Sequence, residues 1–143
     1  MTRTIAILDD DPGRTEAMLG VLSSHLPDIA RTTFDNAPEM IDWLRTHRSR
    51  CLVICLDHDL GPSRIHDGSP FDPGIGRDVV DYLATCDPVC PVIIHTTNSM
   101  AAPGMEAVLD ESGWRCVRIV PYDDLTWVRE WWLPEVQKAL KRQ

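Results

Sequence analysis

The sequence predicts an α/β fold: a doubly wound, five-stranded parallel sheet with helices on both faces. Two observations carry this reading. Apolar runs of strand length alternate with segments whose apolar residues recur at helical spacing, the pattern of right-handed βαβ units. Three of those runs also end in polar side chains where such folds bind ligands, beyond the carboxyl ends of the strands. These ends hold Asp9 and Asp10, then Asp57 and Asp59, then His95, Thr96, Thr97 and Asn98.

The elements follow in order. Thr4 to Leu8 is an apolar strand that runs into Asp9, Asp10 and Asp11. Pro12 suits a first helical position with Asp11 as N-cap, and Ala17, Met18, Val21, Leu22 and Leu26 continue at helical spacing. A short strand is expected at Ile29 to Phe34, then a helix at Ala37 to Thr46 with Met40, Ile41 and Leu44 on one stripe. Cys51 to Leu56 reads as a buried strand. The stretch from Gly61 to Gly76, rich in Gly, Pro, Ser and Asp, reads as an irregular loop long enough to cover a site. Helical spacing returns at Val79, Val80 and Leu83. Pro91 to His95 is a strand, Met105 to Leu109 lies in a helix ended by Gly113, and Cys116 to Val120 is the last strand. Thr126 to Leu140 is helical, with Trp127, Trp131 and Leu140 on one side and Pro134 marking a kink or a second segment.

The 143 residues suit one domain, taken as 1–143, long enough to bury a core. No apolar stretch approaches the roughly 20 residues of a membrane span, and the short apolar run before Asp9 does not read as a signal peptide. A net charge of −8 argues against non-specific binding to nucleic-acid backbone, although a specific RNA end could enter a metal site. The five cysteines include no C-x-x-C pair; Cys51, Cys55 and Cys116 lie in strand-like apolar runs and are expected to behave as small hydrophobes, with a reducing cytoplasm as the simplest compartment.

If the strand ends are neighbours, at least three carboxylates converge, and each raises the pKa of the others unless a cation intervenes. Oxygen ligands alone favour Mg²⁺ or Mn²⁺ over zinc, and Mg²⁺ commonly pairs one or two carboxylates with a phosphate oxygen. A phosphoryl group is therefore the expected substrate. The plainer alternative is that Asp9 to Asp11 cap a helix while Asp57 and Asp59 begin a turn.

"AILDDD", "LVICLD" and "PVIIHTT" resemble the acid pair, phosphoacceptor strand and hydroxyl strand of response-regulator receiver domains, which share the flavodoxin-like fold. The resemblance implies that Asp9 and Asp10 bind metal, that Asp57 is the phosphoacceptor position and metal ligand, that Thr96 is the hydroxyl residue, and that Asp59 supplies a backbone carbonyl to the metal. It also implies a lysine before the proline that follows the last strand. Val120 stands there in "RIVPY", and Arg118, two residues back, reaches the site only if the register differs.

"LDDDPGR", "LDHDLG" and "IHTTN" resemble a narrower family, the cyclic-phosphate-processing receivers. That resemblance adds Arg14, His58, His95 and Asn98 to the site and implies metal-assisted processing of cyclic phosphates on nucleotides or RNA ends. In that chemistry Arg14 offers a phosphate contact, His58 or His95 a general acid or base, and Asn98 orientation of the substrate. Each also has a plainer reading: an ion-paired arginine, satisfied strand-end histidines, a helix-capping asparagine. Two other functions compete: a stand-alone receiver phosphorylated on Asp57 by a histidine kinase, and a non-catalytic interaction module using its tryptophan-rich C-terminal helix. Oligomeric state stays open.

Overall fold

Describing residues 2–122 and 124–142, the computed structural model begins with strand β1, Thr4–Leu8, buried along its whole length. Asp11 then caps α1, Pro12–His25, its Oδ1 accepting from the amides of Gly13 at 2.8 Å and Arg14 at 3.2 Å. There follow β2 (Ala30–Phe34), α2 (Ala37–His47), β3 (Cys51–Leu56), the short strands β4 (Arg64–His66) and β5 (Ser69–Phe71), and α3 (Gly76–Leu83). The chain closes with β6 (Val92–His95), α4 (Ala102–Glu111), β7 (Cys116–Ile119) and α5 (Leu133–Lys141).

The main sheet is parallel throughout, in the order β2-β1-β3-β6-β7. The winding direction reverses between β1 and β3, which opens a crevice beyond their carboxyl ends. Alternation along each strand sorts the core into two layers. On one face Ile5, Ile7, Val53, Cys55 and Ile93 pack with Met18 and Leu22 of α1 and with Trp132 and Val136 near the C-terminus. On the other, Ala6, Leu8, Ile54, Leu56 and Ile94 meet α2, α3 and α4 through Met40, Leu44, Val80 and Met105.

Two sequence expectations are corrected. The stretch from Gly61 to Gly76 is not irregular throughout: β4 and β5 form an antiparallel hairpin. Its two-residue turn is Asp67-Gly68, both at positive φ (52° and 79°), which is the hairpin turn that an Asp-Gly pair favours. Arg64 bonds Asp35 at 2.9 Å and His66 approaches Glu39 at 3.1 Å, so the hairpin is tied to the region where β2 passes into α2.

The second correction concerns the tryptophans. Trp127 and Trp132 are buried, whereas Trp131 is 56% exposed. Residues Val128–Trp132 form a π-helical turn, with the amide of Leu133 bonding the carbonyl of Val128. Pro134 has no N–H to donate four residues back, and the widened turn before it moves the core-facing position from i+4 to i+5. Trp132 thus follows Trp127 into the core, and Trp131 hydrogen-bonds the Tyr122 hydroxyl at 3.0 Å from the surface.

The cysteines behave as expected of small hydrophobes: Cys51, Cys55 and Cys90 are buried, and burial pushes the Cys51 thiol up to about 12. Trp132→Ala is expected to cost about 3–5 kcal/mol in urea unfolding, and Trp131→Ala less than about 1 kcal/mol. Equal losses would show that the phase shift in the C-terminal helix is misplaced.

Candidate functional site

Sheet register places the site. Leu8 pairs with Leu56, and Leu56 with Ile94. The next residue of each chain segment, Asp9, Asp57 and His95, therefore falls in one row across β1, β3 and β6. By period-two alternation all three fall on the sheet face covered by α1 and the C-terminal helix. Two further bonds extend this edge: the Asp57 amide donates to the Leu8 carbonyl at 2.9 Å, and the Asp9 amide to that of Phe34 at 3.0 Å.

Asp9 and Asp57 are both buried, at 3% and 4% exposure, and Asp10 is half-buried beside them. One carboxylate oxygen from each of Asp9, Asp10 and Asp57 lies within 4.8 Å of the others. At that spacing two unit charges repel by about 3–4 kcal/mol for an effective dielectric near 20. Burial, reinforced by Asp9, pushes the Asp57 carboxyl up to about 8, and burial followed by Asp9 raises Asp10 as well. The nearest cation on Asp57 is Arg14, with Nη1 3.8 Å from Oδ2 and its guanidinium 6.0 Å from the Trp127 ring centre. The other Asp57 oxygen accepts the His58 amide at 2.8 Å.

This donor set fits a divalent cation. It is all oxygen and carries up to three negative charges, with Arg14 against it at 3.8 Å, longer than a hydrogen bond. Mg²⁺ or Mn²⁺ suits such ligands, and Asp9, Asp10 and Asp57 are the residues that would hold it.

Both oxygens of Asp9 are already oriented by the protein. Oδ1 accepts the Asp11 amide at 2.8 Å, and Oδ2 meets His95 Nε2 at 2.9 Å. His95 is wholly buried, with its ring 6.0 Å from that of Trp127 and 24° from parallel.

A second group stands beside the carboxylates. His58, 9% exposed, directs Nδ1 to Asp59 Oδ1 at 3.0 Å. The Asn98 amide donates to Asp59 Oδ2 at 3.2 Å, while its carbonyl oxygen accepts from the amides of Met100 and Ala101. Asn98 thereby fixes the approach to α4 and holds Asp59 against His58. The Asp59 carboxylate is not one of the oxygens converging with Asp9, Asp10 and Asp57, so any metal contact from this residue falls to its carbonyl. Buried Thr96 accepts the Asn98 amide on its hydroxyl at 3.0 Å.

Val120, where a receiver lysine would stand, is half-exposed, and Arg118 spends its guanidinium on the Thr96 carbonyl at 3.1 Å. Among the described residues, no lysine joins the carboxylate cluster.

Two contributors escape sequence reasoning. Gly76 lies so close under the site that a Cβ would overlap the Asp57 carbonyl, and its amide bonds the His58 carbonyl at 2.8 Å. One glycine in a glycine-rich stretch does not announce such a role. Trp127 reads as core, and only the fold shows that His95 and Arg14 both lie against it.

The raised Asp57 pKa has a definite sign. The fold favours the protonated carboxyl, so its contribution is complete below the unfolded value near 4 and is lost as pH rises through about 8. In metal-free buffer, Asp57→Asn is expected to gain stability over the unaltered chain across that window, by about 2–4 kcal/mol at its upper end, in urea titrations at several pH values. A constant difference from pH 4 to 8 would contradict it. Gly76→Ala is expected to lower Tm by several degrees, since the backbone under Asp57 must shift.

Comparison with known proteins agrees with this fold. The family model described as cyclic-phosphate processing receiver domain matches residues 5–111. No curated protein matches the chain in sequence. Among solved structures, the response regulator domain of Thermotoga maritima CheB aligns with a TM-score of 0.67 at 13% identity, covering 99% of this chain and 98% of that one. The phosphorylated cyanobacterial phytochrome response regulator RcpA aligns at 0.66 with 15% identity, covering 99% and 91%. A response regulator crystallised in its Mn²⁺-bound form aligns at 0.65 with 14% identity, covering 97% and 90%. At these identities the likeness to solved structures is one of fold.

Proposed function

Because this chain belongs to the family of cyclic-phosphate processing receiver domains, we propose that its acidic pocket binds a divalent cation and opens cyclic phosphodiesters of nucleotides or RNA ends by addition of water. The observation that carries this reading is the His58–Asp59 pair beside the carboxylates, in a site where no lysine takes the usual receiver position. A simple phosphoacceptor needs no acid–base group there. Ring opening needs one.

The reaction adds water to phosphorus, breaks one of the two ring P–O bonds and leaves a phosphomonoester and a free hydroxyl. Its leaving alkoxide needs a proton, and the attacking water must lose one. We assign this exchange to His58. Asp59 on Nδ1 fixes the ring's tautomer and orientation, leaving Nε2 for the substrate, and Asn98 holds Asp59. Arg14 sits near Asp57 at a distance longer than a hydrogen bond, so its guanidinium can swing to a non-bridging phosphate oxygen. The Thr96 hydroxyl accepts a backbone amide and keeps its own proton to donate to the same group. A divalent cation on Asp9, Asp10 and Asp57 would supply charge neutralisation for the phosphate and acidify water.

The test is incubation with Mg²⁺ and a 2′,3′-cyclic nucleotide, followed by phosphorus NMR. Ring opening is expected, with His58→Ala slower by about 10²–10⁴-fold and Asp59→Asn slower by a smaller factor. Asp57 also stands at the position receivers phosphorylate, so a parallel incubation with acetyl phosphate, read by mass, addresses phosphoryl transfer from a kinase. A stable acyl phosphate on Asp57 without ring opening would overturn the hydrolytic reading.

A further inference from the structure

His95 ends β6 in the row of carboxylates, and it is the kind of residue that invites assignment as a proton donor or acceptor. Its surroundings argue otherwise. The side chain has no exposed surface. Nε2 is taken by Asp9 Oδ2 at 2.9 Å, and Nδ1 is buried without a hydrogen-bond partner. Neither ring nitrogen is open to solvent, and the Trp127 indole lies over the face of the ring. The arrangement therefore commits Nε2 to Asp9 and leaves no ring nitrogen open to a substrate.

We propose that His95 is a positioning residue that orients Asp9 for a divalent cation and exchanges no proton with substrate. The inference rests on the reading that Asp9 is a metal ligand. Two donors on opposite oxygens, the Asp11 amide on Oδ1 and His95 on Oδ2, set the carboxylate plane. Each oxygen keeps a lone pair free for a cation. Partners that hold a metal ligand from behind are commonly worth 10- to 100-fold in affinity.

Isosteres separate the roles. The amide nitrogen of His95→Gln reaches the position of Nε2, whereas that of His95→Asn reaches only the position of Nδ1, and His95→Leu keeps bulk without a donor. Mn²⁺ affinity, read from the electron paramagnetic resonance signal of the free ion, is expected to fall about 10- to 100-fold in His95→Asn and His95→Leu and to stay within about threefold in His95→Gln. Ring-opening activity at saturating Mn²⁺ should follow the same order, with His95→Gln active.

Several results would overturn the assignment. Equal Mn²⁺ affinity in all folded variants, with only the metal-free Tm lowered, would leave His95 a purely structural residue. Retained Mn²⁺ affinity but no ring opening in His95→Gln would mark it as a proton-transfer group. No Mn²⁺ uptake by the unaltered chain would remove the metal reading and this proposal together. Ring opening with unchanged affinities would remove this proposal alone.

Discussion

Burying Asp9 and Asp57 side by side at the ends of adjacent parallel strands is the constraint around which this molecule is arranged. Neither carboxylate is exposed enough for water to solvate it, and the pair repels itself. The fold meets the cost with local donors and, at Asp57, by favouring the protonated carboxyl. Asp9 receives one amide and one imidazole, Asp57 receives one amide, and the arginine on α1 stays beyond hydrogen-bond length. Three acids thus meet at the point where the sheet's winding reverses. A divalent cation would offset the repulsion among them.

Other features follow from that. Because the row is fixed by sheet register, moving any one strand by a residue would turn its polar end toward the opposite helical layer. The glycine at the start of α3 lets the backbone run close beneath Asp57, which anchors this edge of the site on main-chain atoms. The His58, Asp59 and Asn98 chain then spans from the end of β3 to the approach of α4, so two crossover connections are joined by side chains above the sheet.

Much of this was legible in the sequence for physical reasons. Strands buried on both faces write long apolar runs, and Asp9, Asp57 and His95 stand immediately after such runs, so their row could be inferred from topology alone. The Asp11 cap and the Pro12 start likewise speak locally. What was not legible depended on geometry beyond the local pattern. The spacing of Trp127 and Trp131 fits an ordinary helix, and only the π-turn before Pro134 reveals Trp132 as the buried partner. The Asp67-Gly68 turn did carry a hairpin signal, obscured by the prolines and glycines around it. That Asn98 and Asp59 meet beside His58 required knowing which side chains approach across about forty residues of chain.

The indole of Trp127 has a consequence of its own. One neighbour of its ring is the histidine on Asp9, and another is the arginine facing Asp57. Residues attached to two different carboxylates therefore share a single aromatic wall, itself carried on the segment that leads into the C-terminal helix. Displacing the arginine changes the electric field across a ring shielded from solvent, to which indole emission responds. The same ring ties the segment that leads into the C-terminal helix to side chains that meet both carboxylates.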